Sequence, residues 1–275
     1  MTDMRPPKNQ DPFGTMDSAD LGNHPQFAST LANGLAILGC FSATATSLGN
    51  KDFADMLGMS RPTVSRLTFT LVRLGYLRRD PRTSKYLLGP AVLSLGYPLL
   101  SQFMIRQVAA DEMLKLAVHA KGPVSAGTRD RLQVVYVETV QSRESNETRP
   151  GIGSTRPLLR TAMGRAILYG LPPAERQAVL GQLQRHMPEE WKQHESGLIQ
   201  AFEEIETRGF CSVAGAWRSS LAAVAVPVRA SINGMHLAFN VTVPSHSTTP
   251  DQLQKDLGPR LLALVHSIEG MLGIV

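Results

Sequence analysis

The chain has 275 residues, 43% of them apolar and 19% charged, with two cysteines and a net charge of +5. That length suits two domains, and the composition is that of a globular protein of a reducing compartment. No apolar run approaches the ~20 residues of a membrane span, and the opening MTDMRPPKNQDPFG lacks an apolar signal core, so the expected location is the cytoplasm. Cys40 and Cys211 lie far apart and read as ordinary buried thiols, with no disulfide framework or metal site.

Residues 1–27 mix Pro, Asn, Asp and Gly without an apolar period and read as a disordered arm. From Ser29 the pattern turns helical, with Leu31, Leu35, Ile37, Leu38 and Phe41 able to share one face. A second, short helix is expected from Asn50 as N-cap to Gly58, with Phe53, Ala54 and Leu57 inward. Ser60 offers the cap of a third, and Pro62 falls in its first turn, where a missing N–H costs nothing. Val64, Leu67, Leu71 and Leu74 give that helix an apolar stripe. Tyr76–Arg79, a turn at Asp80–Ser84 and Lys85–Leu88 then read as a β-hairpin. Three helices and a hairpin, with only Gly58 and Met59 between helices two and three, make a winged helix-turn-helix over residues 28–89.

Charge agrees with that assignment. Between Arg61 and Lys85 stand seven Arg and Lys against one Asp, a local +6 that exceeds the charge of the whole chain. The segment is expected to meet a polyanion, double-stranded operator DNA. Ser60, Arg61, Thr63, Ser65 and Arg66 are the base-proximal candidates; Arg78, Arg79, Arg82 and Lys85 are candidates for phosphate contacts, which position without reading sequence.

Residues 90–106, GPAVLSLGYPLLSQFMI, form an apolar linker helix that Pro98 should kink and that suits either core or a dimer seam. Beyond it, residues 107–275 are expected to form an α+β domain around an antiparallel sheet. Its predicted parts are a helix over 106–119, two strands turned at Arg129–Arg131, and a Gly/Pro loop over 150–160. Helices follow from Thr161 and over 173–184 and 195–208. Strands over 210–215, 221–230 and 235–243 come next, the last two joined at Asn233-Gly234, and a helix over about 250–272 closes the chain. None of the seven histidines has zincin spacing or a Cys-x-x-Cys beside it, Gly151-Ile-Gly153 lacks the rest of a phosphate loop, and no Gly-x-Ser-x-Gly elbow occurs. No cofactor is expected, and an enzyme is disfavoured.

The stretches SRPTVSRLTFTLVRLGYLRRDPRTSKYLLGP (60–90), STRPLLRTAMGRAIL (154–168), TRGFCSV (207–213), LAAVAVPV (221–228) and LAFNVTVP (237–244) resemble the IclR-type family of bacterial transcription regulators. The resemblance implies an operator-binding winged helix-turn-helix, a linker helix used in dimerisation, and a GAF/PAS-like effector-binding domain, assembled as a homodimer or dimer of dimers. It implies a pocket lined by Leu159, Thr161, Ala162, Gly164, Leu221, Ala223, Asn240 and Thr242. Where relatives often carry an acidic run, this chain has Val213, Trp217 and Arg218, so an aromatic or otherwise apolar carboxylate is the expected small-molecule effector. Two other readings stay open: an architectural DNA-binding protein whose second domain only oligomerises, and an enzyme with a DNA-binding module.

Overall fold

The computed structural model describes residues 26–103, 108–142 and 150–274. These divide into two compact units with the boundary between Ser101 and Gln102. Most of the expected disordered arm lies outside the described residues, as do positions 104–107 at the end of the expected linker.

In the N-terminal unit, α1 (Ser29–Gly39), α2 (Asn50–Leu57) and α3 (Arg61–Arg73) enclose a core of Ile37, Phe53, Val64, Leu67, Leu71 and Leu77. Leu31 and Leu35 do not join it; they are exposed, because the buried stripe of α1 runs through Ala36 and Ile37 instead. Helix α2 is capped by Gly49 rather than by Asn50. The Asp52 carboxylate accepts the Gly49 N–H at 2.8 Å, and this frees Asn50 to accept the buried Thr68 hydroxyl at 3.2 Å. Gly58, at φ 66°, ends α2 in the left-handed region. Two residues later Ser60 caps α3, its Oγ accepting Thr63 N–H at 3.4 Å. The wing is β1 (Leu77–Arg79) antiparallel to β2 (Tyr86–Leu88), and Leu48 adds a bridge to Tyr86. Its turn is shaped by Asp80, whose carboxylate accepts the Arg82 N–H at 2.9 Å and the Thr83 hydroxyl at 3.0 Å. The linker helix α4 (Ala91–Gln102) accommodates Pro98 inside it and buries none of its side chains.

The C-terminal unit is built on one six-stranded antiparallel sheet in the order β5-β4-β3-β8-β7-β6. Its strands are β3 (Val124–Asp130), β4 (Gln133–Val140), β5 (Thr155–Pro157), β6 (Cys211–Ala214), β7 (Leu221–Pro227) and β8 (Leu237–Pro244). The stretch 150–160 is therefore not all loop: three residues of it pair with Gln133–Val135 as an edge strand. One face, carrying Val124, Val224, Phe239 and Val241, packs against α5 (Ala110–Ala120) and the C-terminal helix. That helix runs as α9 (Pro250–Gln252), a π-helical turn over Leu253–Leu257 and α10 (Gly258–Met271). The other face, carrying Val134, Tyr136, Ala225 and Ala238, packs against α6 (Ala162–Gly170), α7 (Pro173–His186) and α8 (Pro188–Arg208). Helix α8 begins seven residues earlier than the expected Glu195, and the extra turns bring Glu190, Trp191 and His194 to that side. Gly127 lies opposite Tyr136 beneath Met163, and a Cβ there would stand 2.4 Å from the Met163 sulfur, so the glycine is what lets α6 press onto the sheet.

Candidate nucleic-acid interface and effector site

In the N-terminal unit the tight turn at Gly58 and the Ser60 cap fix where α3 begins, and its buried stripe of Val64, Leu67, Thr68 and Leu71 fixes which side faces out. Ser60, Arg61, Thr63, Ser65 and Arg66 are all exposed on its first two turns. The Ser60 and Thr63 hydroxyls lie 2.8 Å apart, so part of the capacity of Ser60 is committed to the helix start. Arg78, Arg79, Arg82 and Lys85 are exposed along the hairpin. The acids near this surface are held locally: Asp80 serves its own turn, which keeps its carboxyl below the usual range, and Asp52 is 4.0 Å from Lys85. The surface therefore retains its positive charge.

In the C-terminal unit, sheet register assembles the floor of a second site. Val213, Ala223 and Thr242 lie side by side across β6, β7 and β8. In the next row on the same face, Thr139, Ser125, Asn240 and Ala225 lie across β4, β3, β8 and β7. Leu221 stands opposite Pro244 at the start of β7. Asn240 and Thr139 are buried, and among the described residues the Asn240 Oδ1 and Thr139 Oγ1 atoms have no hydrogen-bond partner, although the Asn240 amide donates to Thr242 Oγ1 at 3.0 Å. Unsatisfied polar atoms at such depth cost roughly 1–3 kcal/mol each, which marks the row as a place where a polar ligand group is useful.

The start of α6 closes over this floor. Thr161 caps the helix, accepting Gly164 N–H at 3.1 Å while its hydroxyl donates to Pro157 O at 2.9 Å. Leu159 and Ala162 are fully packed. A Cβ on Gly164 would lie 2.1 Å from Leu158 O, so the glycine serves close approach of backbone to backbone. Arg165, almost wholly buried, donates to Leu159 O and Gly197 O, both at 2.8 Å, and so ties the loop before α6 to α8.

The rim is cationic. Arg160 donates to Ala216 O at 3.0 Å and Trp217 O at 3.1 Å, holding the β6–β7 loop in place. The guanidinium carbons of Arg156 and Arg218 each lie 4.5 Å from the Trp217 ring centroid, and Arg156 also lies 5.7 Å from that of Tyr136. Arg156 Nε is buried and, among the described residues, has no hydrogen-bond partner. Burial, and secondarily the Arg218 charge, hold the Arg156 pKa below its ordinary value, against an opposing effect of Tyr136. Among the described residues, no carboxylate forms an ion pair with Arg156 or Arg218. Sequence reading picked out Trp217 and Arg218 but not Tyr136 and Thr139, both on β4, or Arg156 on β5. Two cavities, of about 290 and 350 Å³, lie elsewhere, one beside the wing and one along α8.

The profile of the IclR helix-turn-helix domain matches residues 30–81, and that of the bacterial transcriptional regulator IclR C-terminal domain matches residues 98–269. The chain belongs to the IclR family. It is 32% identical over 242 residues to the HTH-type transcriptional regulator TsaQ1/TsaQ2 of Comamonas testosteroni, covering 87% of each chain. A crystal structure of an IclR family transcriptional regulator from Brucella abortus superposes with a TM-score of 0.83 at 40% identity, covering 94% of this chain and 97% of that one. An IclR homolog from Microbacterium hydrocarbonoxydans, complexed with 4-hydroxybenzoate, shares the fold with a TM-score of 0.69 at 18% identity, covering 90% of this chain and all of that one. This IclR-family chain is accordingly a DNA-binding transcription regulator and not an enzyme. Among its described residues no helix is long and apolar enough to cross a membrane.

Proposed function

We propose that this regulator binds operator DNA as a homodimer or dimer of dimers in the cytoplasm, and that an aromatic or otherwise apolar carboxylate controls that binding. The exposed side chains at the start of α3 read base edges, and the hairpin arginines hold phosphates. The effector's apolar body lies against Trp217, Val213, Leu221 and Ala223, its carboxylate between Arg156 and Arg218, and its polar substituents toward Asn240 and Thr139.

One observation carries the effector assignment: two guanidinium groups share one indole, and among the described residues no carboxylate forms an ion pair with either. Like charges gathered around one ring repel, and an anion bound beside both relieves that repulsion and accepts directed hydrogen bonds. A relative of the same fold holds 4-hydroxybenzoate, a molecule of this chemical class. Control requires that the effector bind one conformation of the C-terminal unit better than another, since equal affinity shifts nothing.

The test is a calorimetric screen of the full chain against benzoates, hydroxybenzoates, sugars and polar polyacids, followed by operator titrations with and without each ligand bound. The expected outcome is a hit among the aromatic acids that changes operator affinity and that Arg156→Gln weakens about tenfold, ~1.4 kcal/mol. Hits confined to sugars or polyacids would overturn the effector class. Operator affinity indifferent to every ligand would leave the C-terminal unit as an oligomerisation module.

A further inference from the structure

Helix α3 carries one side chain that neither its packing nor its charge explains. Phe69 is 64% exposed. At about 100° per residue, it points some 150° away from the centre of the buried stripe formed by Val64, Leu67, Thr68 and Leu71. Its outward line is shared with Arg66, three residues before, and Arg73, four after. The Arg73 guanidinium carbon sits 5.5 Å from the Phe69 ring centroid. Leu74, the next exposed apolar residue of this segment, falls about 140° around the helix from Phe69 by the same geometry, so the phenyl ring does not extend that surface.

We infer that Phe69 is a sequence-reading residue, its ring packing on the C5-methyl group of a thymine in the major groove of the operator. Charge complementarity selects this occupant. A protein surface docked on Phe69 would have to bury or neutralise Arg66 and Arg73 on either side, and unpaired guanidinium groups are expensive to desolvate. Duplex DNA offers a base edge to Arg66, a phosphate to Arg73 and, between them in the major groove, one apolar feature, the thymine methyl, which cytosine lacks. The cation–π contact with Arg73 orders the ring before binding, which lowers the entropy lost on docking. Because the ring is outside the core, its removal leaves the fold intact.

The test uses the full chain and duplexes enriched from a random pool by the wild-type protein. Each thymidine of the enriched site is replaced in turn by deoxyuridine, which removes only the methyl group. The expected result is that one position, or one symmetric pair, weakens the wild type 3- to 10-fold, while Phe69→Ala binds that much more weakly from the start and is indifferent to the same replacement. Phe69→Leu, which keeps an apolar contact, should recover part of the sensitivity. Wild-type indifference to every deoxyuridine, or unchanged affinity in Phe69→Ala, overturns the inference while leaving the DNA-binding assignment of α3 intact. A Phe69→Ala chain that loses self-association together with affinity, measured by sedimentation, makes Phe69 a protein contact instead. If no duplex is enriched at all, the inference fails along with the assignment of α3.

Discussion

Glu190 shows how single groups near the second site are balanced. Its Oε1 is buried with no hydrogen-bond partner among the described residues, and burial holds the carboxyl above its ordinary pKa although the Arg160 charge pulls the other way. A carboxyl raised in the folded state binds its proton more readily there than in the unfolded chain. Its contribution to stability is therefore complete below the unfolded value, about 4.3, and is lost as pH rises through the folded one. Glu190→Gln should melt above the wild type at neutral pH, with the gap closing as the solution is acidified; a gap independent of pH in paired melting curves would show that the carboxylate is satisfied. His194, on the next turn, is held below its ordinary value by burial and by the Arg165 and Arg160 charges. The two thiols are a plainer case. Burial pushes Cys40 up to about 11 and Cys211 up to about 12, so both stay protonated at neutral pH. A disulfide reagent should label neither before denaturant unfolds the chain, and rapid labelling in native buffer would contradict that packing.

At the scale of elements, α3 and the β1–β2 hairpin are assigned different work. Arg66→Ala should weaken operator binding and alter base preference at one position. Arg82→Ala should weaken all duplexes alike and reduce the salt slope by about one ion. Titrations of both variants over a range of salt concentrations separate the two, and identical behaviour would refute the division. These elements were legible in the sequence because their signals are local: Ser60 beside Pro62, Gly58 in a two-residue turn, Asp80-Pro81 between short apolar runs. Binary pattern did not reveal which apolar residues of α1 face inward, so Leu31 and Leu35 were misplaced. Strand β5 was missed because three residues ending in proline carry no periodicity, and their partners on β4 lie about twenty positions earlier. The first turns of α8 were missed too, although Pro188 followed by Glu189 and Glu190 is the composition of a helix start. The second site was only half readable. Trp217 and Arg218 are neighbours in sequence, whereas Tyr136, Arg156 and Thr139 reach the same face through sheet pairing and loop packing.

For the whole molecule, the exposed face of the linker helix is the feature that bears on how many chains act together. Helix α4 buries nothing, and Leu93, Leu95, Tyr97 and Leu99 are exposed on it, a density of apolar surface that suits burial against a second copy. Leu95→Glu should shift the chain toward monomer in sedimentation and, because two reading helices then no longer act as one ligand, lower operator affinity by well over tenfold. A Leu95→Glu chain with unchanged mass and affinity would move the seam elsewhere.

The turn made by Asp80 bears on how such a molecule searches a chromosome. That side chain is there for shape, bonding the Arg82 N–H and the Thr83 hydroxyl, yet it also places the only negative charge of the basic segment at the tip of the wing. Asparagine can form the same bend without the charge. Asp80→Asn should therefore grip random and cognate duplexes alike more tightly in salt titrations, so that each stay on the bulk genome lengthens and the promoter is found more slowly.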